Sequence, residues 1–174
     1  MSIKAKAVVI DQNDVDTDVL YPGKFLNIID PEQAREHLFE DLDPSLRDLL
    51  KQGPTVLFVG ENFGCGSSRE QPTMAMKASD VQCLVGKSFA RIFGRNAVNG
   101  GMPAFVNPAA VRAATAGADV EVDLETGVVR IDGTDYPSEP MPSLPHAIVM
   151  AGGLVPWVRA RRRADHSLQD PPIR

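Results

Sequence analysis

Only two cysteines, Cys65 and Cys83, stand in this 174-residue chain, and no Cys-x-x-Cys or closely spaced Cys/His set accompanies them. Structural zinc and iron–sulfur sites take three or four protein ligands, so no metal centre is expected on this chain alone. No apolar run approaches the roughly 20 residues that span a bilayer. Met1-Ser2-Ile3-Lys4-Ala5-Lys6 leads into a strand instead of a signal-peptide core, so the chain is read as cytoplasmic with no membrane association. Positive charge is not in excess either: the net charge is -5, which argues against a broad nucleic-acid footprint. Arg159, Arg161, Arg162 and Arg163 form one local basic cluster, read as a helix end where cations favour the negative pole. Internal repeats and low-complexity tracts are lacking as well.

What is present is an ordinary globular composition, 43% hydrophobic and 24% charged, enough for one domain with a substantial core. Residues 1–164 are expected to form that domain and 165–174 a flexible tail. Strands are predicted at Lys4–Ile10, Thr55–Val59, Val81–Val85 and Ala104–Val106, with a short extended piece at Val19–Tyr21. Asp119–Leu124 and Val128–Ile131 alternate on either side of Glu125-Thr126-Gly127, a hairpin pattern. Helices are predicted from Pro31 (capped by Asp30) to Glu40, then near Ser45–Leu50, Gln71–Ser79, Phe89–Val98 and Pro108–Ala116. A last helix is predicted from Pro145, resuming after Gly152-Gly153 through Arg162. His37 is read as a surface or half-buried residue of the first of these. The strand-helix-strand-helix order is that of an α/β unit.

The most informative stretch is Gly60-Glu61-Asn62-Phe63-Gly64-Cys65-Gly66-Ser67-Ser68-Arg69-Glu70, at the end of the apolar run Thr55–Val59. Glycines let backbone approach a ligand closely, and unpaired N–H groups at a helix start attract anions. Arg69 adds a planar donor fork suited to carboxylate or phosphate. The Walker lysine is missing, the third glycine of a dinucleotide fingerprint is replaced by Arg69, and Gly-x-Ser-x-Gly does not occur. Two readings remain: an anion site with a hydroxyl aimed into it, or a plain strand-to-helix turn with Ser67 or Ser68 at the helix N-terminus. Cys83 reads as a core thiol, whereas Cys65 is either packed or acidified by that helix start. Asp11 to Asp18 is rich in acid but lacks the glycine and glutamate of a calcium loop, and a loop of Asx turns fits it.

Asp14-Val15-Asp16-Thr17-Asp18, the Asn62–Glu70 run, the stretch Lys87–Asn99 and the hairpin Val122–Gly127 together resemble the small subunits of the aconitase superfamily. The likeness is to the short, archaeal-type small subunits of 3-isopropylmalate dehydratase, with homoaconitase as a near relative. It implies a single swivelling α/β domain whose mixed sheet or barrel-like core is flanked by helices. It also implies a separate large subunit carrying a 4Fe-4S cluster, which binds the hydroxyl of a hydroxy-dicarboxylate substrate. Self-association of the isolated chain stays open. By resemblance Ser67 is the base that removes the proton, and Asp18 approaches a large-subunit histidine. Arg69 clamps a substrate carboxylate, with Ser68 and Gly66 beside it. Asn27 and Ile28 would set substrate choice: a neutral Asn27 favours an aliphatic substituent over homoaconitase's extra carboxylate, and another branched malate such as 2,3-dimethylmalate remains an alternative.

Three positions depart from the family pattern. Gln71 and Pro72 replace a common histidine and alanine, and Gly94 replaces a common aromatic. Arg91 and Arg95 are read either as substrate ligands or as partners of loop carboxylates. Two other classes compete: a carboxylate-binding module without chemistry, and a self-sufficient hydrolase built on Cys65 or Ser67 with His146 as base.

Overall fold

The computed structural model describes residues 1–167 and contains one mixed seven-stranded sheet. Its strands are β1 (Ser2–Ile10), β2 (Thr55–Val59), β3 (Val81–Gly86), β4 (Ala104–Val106), β5 (Asp119–Asp123), β6 (Val128–Ile131) and β7 (Thr134–Pro137). In space they run β4-β3-β2-β1-β5-β6-β7. β1 through β4 are parallel, and β5, β6 and β7 join antiparallel at the β1 edge. The helices are α1 (Thr17–Leu20), α2 (Pro31–Ala34), α3 (Leu46–Leu50), α4 (Gln71–Ala78), α5 (Arg91–Asn99), α6 (Pro108–Ala113), α7 (Ser143–Met150) and α8 (Leu154–Ser167).

Burial explains why the strand signals differed along the chain. All five residues of β2 are buried, as expected of a parallel strand covered on both faces. Leu57 and Val59 join one core layer with Val8, Ile10, Leu84, Leu20, Met76 and Phe93. Val56 and Phe58 join the other with Val85, Phe105, Val111, Val120 and Val129. In β5 only Val120 and Val122 are buried, which is the alternation of a strand with one wet face.

Several expectations are corrected. Val19 and Leu20 are helical and only Tyr21 is extended: Asp16 accepts a hydrogen bond from Asp18 N at 2.7 Å and caps α1. The helix from Pro31 does not reach Glu40. It passes into a 3-10 turn at Arg35–His37 and stops where Leu38 turns extended and Phe39 takes φ +60. Asp30 stands at its N-cap position but makes no capping hydrogen bond. β7 was not foreseen, because Asp135 and Pro137 are poor strand residues and only the ladder to β6 makes them part of one. The basic cluster sits within α8, not at its end, and α8 runs three residues past the expected tail boundary, to Ser167. The remainder of that tail lies outside the described residues. No helix among the described residues is long and apolar enough to cross a membrane.

Placement of the loops follows from this topology. In parallel strands the C-terminal ends share one edge, so the loops after β1, β2 and β3 emerge side by side, where ligands bind in open α/β sheets. Phe93 of α5 underpins them, fully buried and edge-on to Phe63 of the second loop at 5.4 Å between ring centres. Phe93→Ala is expected to cost about 3–5 kcal/mol by emptying this seat. Urea unfolding checks it, and a loss under about 1 kcal/mol would mean that the neighbours collapse into the gap without strain.

Candidate active site

The loop Asp11–Asp16 after β1 and the loop Gly60–Glu70 after β2 are joined as if by a short extension of the sheet. Asp14 N donates to Glu61 O at 2.8 Å, Gly64 N to Val15 O at 2.9 Å, and Thr17 N to Cys65 O at 2.9 Å. Side chains complete the joint: Asn13 Oδ1 accepts from Glu61 N at 2.8 Å, and Asn62 Nδ2 donates to Asp14 Oδ1 at 2.8 Å. The acidic loop thus spends Asn13, Asp14 and Asp16 on backbone and on Asn62, while Asp11 pairs with Lys87 Nζ at 2.6 Å. The third loop enters through Ser88 Oγ, which accepts from Asn62 N at 2.7 Å.

Two glycines are required here. Gly64 has φ +78 and a Cβ on it would collide with the Phe93 ring, while Gly66 has φ +90 and a Cβ would collide with the Asp16 carboxylate. Side chains are thereby excluded at both places, and the chain between them runs close against the α1 cap.

Beyond Gly66 the expected site residues gather. Ser67 N donates to Thr17 Oγ1 at 2.9 Å, and Ser67 Oγ accepts from Arg69 N at 3.3 Å. Arg69 Nη1 lies 2.7 Å from Asp18 Oδ1, so two residues chosen separately from the sequence are ion-paired to each other. Both are partly exposed, and such a pair contributes at most about 1 kcal/mol, so its effect is to orient the guanidinium. Asn96 of α5, which sequence reasoning missed as a site residue, donates from Nδ2 to Ser68 O at 3.0 Å and to Arg69 O at 3.1 Å. Only its place in the Arg95-Asn96 portion of the Lys87–Asn99 stretch hinted at it.

A cleft of about 910 Å³ opens beside this loop. Ser68, Arg69, Gln71 and Asn96 give it a polar wall, and Ile28, Met74, Met102 and Val155 an apolar one. It takes in Ile28 of the expected specificity pair but not the exposed Asn27, and Gly66, Ser67 and Asp18 stand outside its lining. Charge and grease therefore share one cavity, which suits a ligand with a carboxylate and an alkyl group.

Other expectations fail against the geometry. Neither serine caps a helix, because α4 begins at Gln71 with Glu70 as its N-cap. The Ser67 hydroxyl sits in a local turn, with Arg69 N as its hydrogen-bond donor. Arg91 and Arg95 are exposed, and among the described residues neither forms an ion pair with a loop carboxylate. His146 lies on α7 and lines no part of the cleft, so the self-sufficient hydrolase lacks its base. Cys65 donates to Asp14 O at 3.4 Å, and burial, with the Asp16 and Asp14 charges, pushes its thiol upward, the opposite of an acidified nucleophile. Cys83 is fully buried in β3, and burial raises it further. A thiol in a sheet core and a protonated one in a loop do not fit cluster ligation.

Residues 47–106 match the aconitase C-terminal domain. The chain is 44% identical to the 3-isopropylmalate dehydratase small subunit of Caldanaerobacter subterraneus over 92% of its own length and 100% of that protein. It is 40% identical to the 2,3-dimethylmalate dehydratase small subunit of Eubacterium barkeri, covering 92% of this chain and 100% of that one. Its fold is similar to a crystal structure of 3-isopropylmalate dehydratase from Methanocaldococcus jannaschii, with a TM-score of 0.88 and 36% identity over 96% and 99% of the two chains.

The thiol shift has a readout. Thiolate is the alkylated form, so a raised pKa moves the rise of iodoacetamide labelling at Cys65 to higher pH than for free cysteine, with slow labelling at neutral pH. An inflection at or below that of free cysteine, followed by mass spectrometry, would contradict the carboxylate surroundings described for Cys65.

Proposed function

The chain belongs to the family of 3-isopropylmalate dehydratase-type small subunits within the aconitase superfamily, and we propose that it forms, with a large subunit, a hydro-lyase interconverting 2-isopropylmalate and 3-isopropylmalate. The observation that carries this reading is the cleft that brings Ser68 and Arg69 to the same space as Ile28, Met74 and Met102. A branched malate has a matching division, with carboxylates on one side and an aliphatic group on the other.

In this reading Arg69 binds a substrate carboxylate. Its Nη1 is already engaged by Asp18, which holds the fork in place while other N–H groups meet the substrate. Ser68 adds a hydrogen bond to the bound acid, and Gly66 lets the backbone approach. Ser67 takes the proton from the carbon beside the carboxylate. A serine hydroxyl is a weak base, and its alkoxide needs preorganised donors. Arg69 N is one such donor at 3.3 Å, and the remaining field is assigned to groups brought by the large subunit. Asp18, at the exposed edge, also faces that partner and is assigned to its histidine. The 4Fe-4S cluster that the family implies is placed on the large subunit, since the two thiols here do not fit it.

Asn27 is neutral and cannot supply a cation to a third carboxylate, which disfavours a homoaconitase substrate. A second reading, dehydration of 2,3-dimethylmalate, is favoured by the 40% identity to the Eubacterium barkeri protein of that name. A carboxylate-binding module without chemistry is the remaining alternative.

The test is anaerobic mixing with a cluster-reconstituted large subunit, following ultraviolet absorbance of the unsaturated acid formed from 3-isopropylmalate. Turnover is expected only in the mixture. Ser67→Ala is expected to lower kcat by about 10²-fold or more with little change in KM, as for loss of a general base. Retention of most of the turnover would remove Ser67 from that role, and a silent complex would move the assignment to dimethylmalate or to the binding module.

A further inference from the structure

One side chain of the cleft ties its two walls together. Gln71 opens α4 two residues after Arg69, is half-buried, and donates from Nε2 to Leu26 O at 3.4 Å, across 45 positions of sequence. Leu26 directly precedes Asn27-Ile28. The loop that holds these residues is braced elsewhere, by Tyr21 Oη donating to Phe25 O at 3.2 Å and by Phe25 stacking on His37 at 3.6 Å. Within the loop Ile28 N donates to Phe25 O at 3.0 Å, so Ile28 moves with Phe25 and Leu26 as a unit. On the Arg69 side, Asn96 fixes the backbone carbonyls of Ser68 and Arg69, and Thr73 Oγ1 donates to Glu70 O at 2.9 Å. The arginine side is thus rigid, and among the described residues the Gln71 amide is the side-chain hydrogen bond that joins it to the Leu26–Ile28 segment.

We infer that Gln71 is a positioning residue that sets the distance between the Arg69 carboxylate clamp and the apolar wall at Ile28, and so selects among branched malates by the size of their alkyl group. This rests on the dehydratase reading above. With the carboxylate anchored at Arg69, the alkyl group reaches a point that chain geometry dictates, and a shift of the Ile28 wall decides which alkyl fills it. One methylene in such a pocket discriminates by only about 10–200-fold. Selectivity of that size depends on the wall staying in place, and a wall released from its tether accommodates small and large groups alike. The chemistry at Ser67 does not pass through Gln71, so the effect falls on binding more than on turnover.

Gln71→Met tests this, because it keeps side-chain length and helix propensity and removes the donor. In the assembled enzyme, kcat and KM are measured for 3-isopropylmalate and 2,3-dimethylmalate in parallel. The ratio of the two kcat/KM values is expected to fall by about fivefold or more, through KM, with kcat for the preferred substrate within about twofold. In the isolated chain, hydrogen exchange over residues 22–30 is expected to speed up by about tenfold while the β2 core is unchanged. An unaltered ratio, a parallel fall of kcat for both substrates, or unaltered exchange in the loop would overturn the inference. If the wild-type assembly turns over neither malate, the dehydratase reading fails, and the exchange measurement still decides whether Gln71 tethers the loop. Gln71→Glu, whose carboxylate repels the Leu26 carbonyl, takes the place of the methionine variant if the latter does not fold.

Discussion

Everything at the functional edge depends on the backbone pairing between the loops after β1 and β2, where Cys65 O accepts from Thr17 N and Gly64 N donates to Val15 O. Backbone hydrogen bonds of this kind demand close approach, and only glycine at 64 and 66 permits it with φ near +80 to +90. Once the loops are locked, Ser67 is held by Thr17, Arg69 meets Asp18, and the carbonyls of Ser68 and Arg69 fall within reach of Asn96. The pairing itself rests on backbone hydrogen bonds, which salt screens less than it screens exposed ion pairs.

The Arg69–Asp18 ion pair has a different character. Arg69 and Asp18 are partly exposed and joined through a single nitrogen, an arrangement suited to holding a cation ready without neutralising its whole donor fork. A substrate carboxylate and a partner surface would each change that balance, which fits a site completed by a second subunit. The apolar half of the cleft is built by Ile28, Met74 of α4, Met102 and Val155 of α8, and the Gln71 amide ties the segment before Ile28 to the start of α4. In the proposed dehydratase reading, carboxylate recognition and alkyl recognition are therefore separable, so one can change without loss of the other. The neighbouring names among its relatives, isopropylmalate and dimethylmalate, differ in that alkyl part.

Strong periodic signals were legible without coordinates. The apolar run of β2 and the strand β6 have the bounds that patterning gives them, and β5, α4 and α5 lie within two residues of theirs. The weaker elements did not. α1 exists because Asp16 caps it against a loop from elsewhere in the chain, and β7 because β6 supplies its partners. Short elements carry too few residues to set their own conformation, so tertiary contact decides it. The helix start at Ser67 was misplaced for a related reason: the Asn96 clamp and the Thr17 hydroxyl hold residues 67–69 in an extended turn that local sequence does not encode.

Residue types and their order were enough for the α/β class, the core strands and the family, because apolar runs, strict alternation and a glycine-rich run of fixed spacing leave few alternatives. It took the folded chain to pair Asp18 with Arg69, to raise the Cys65 thiol through burial, to bring Asn96 onto the loop and to carry Gln71 to Leu26. Each of these joins residues 27 to 51 positions apart or depends on local burial, and neither distance in space nor loss of water can be read from adjacency along a chain.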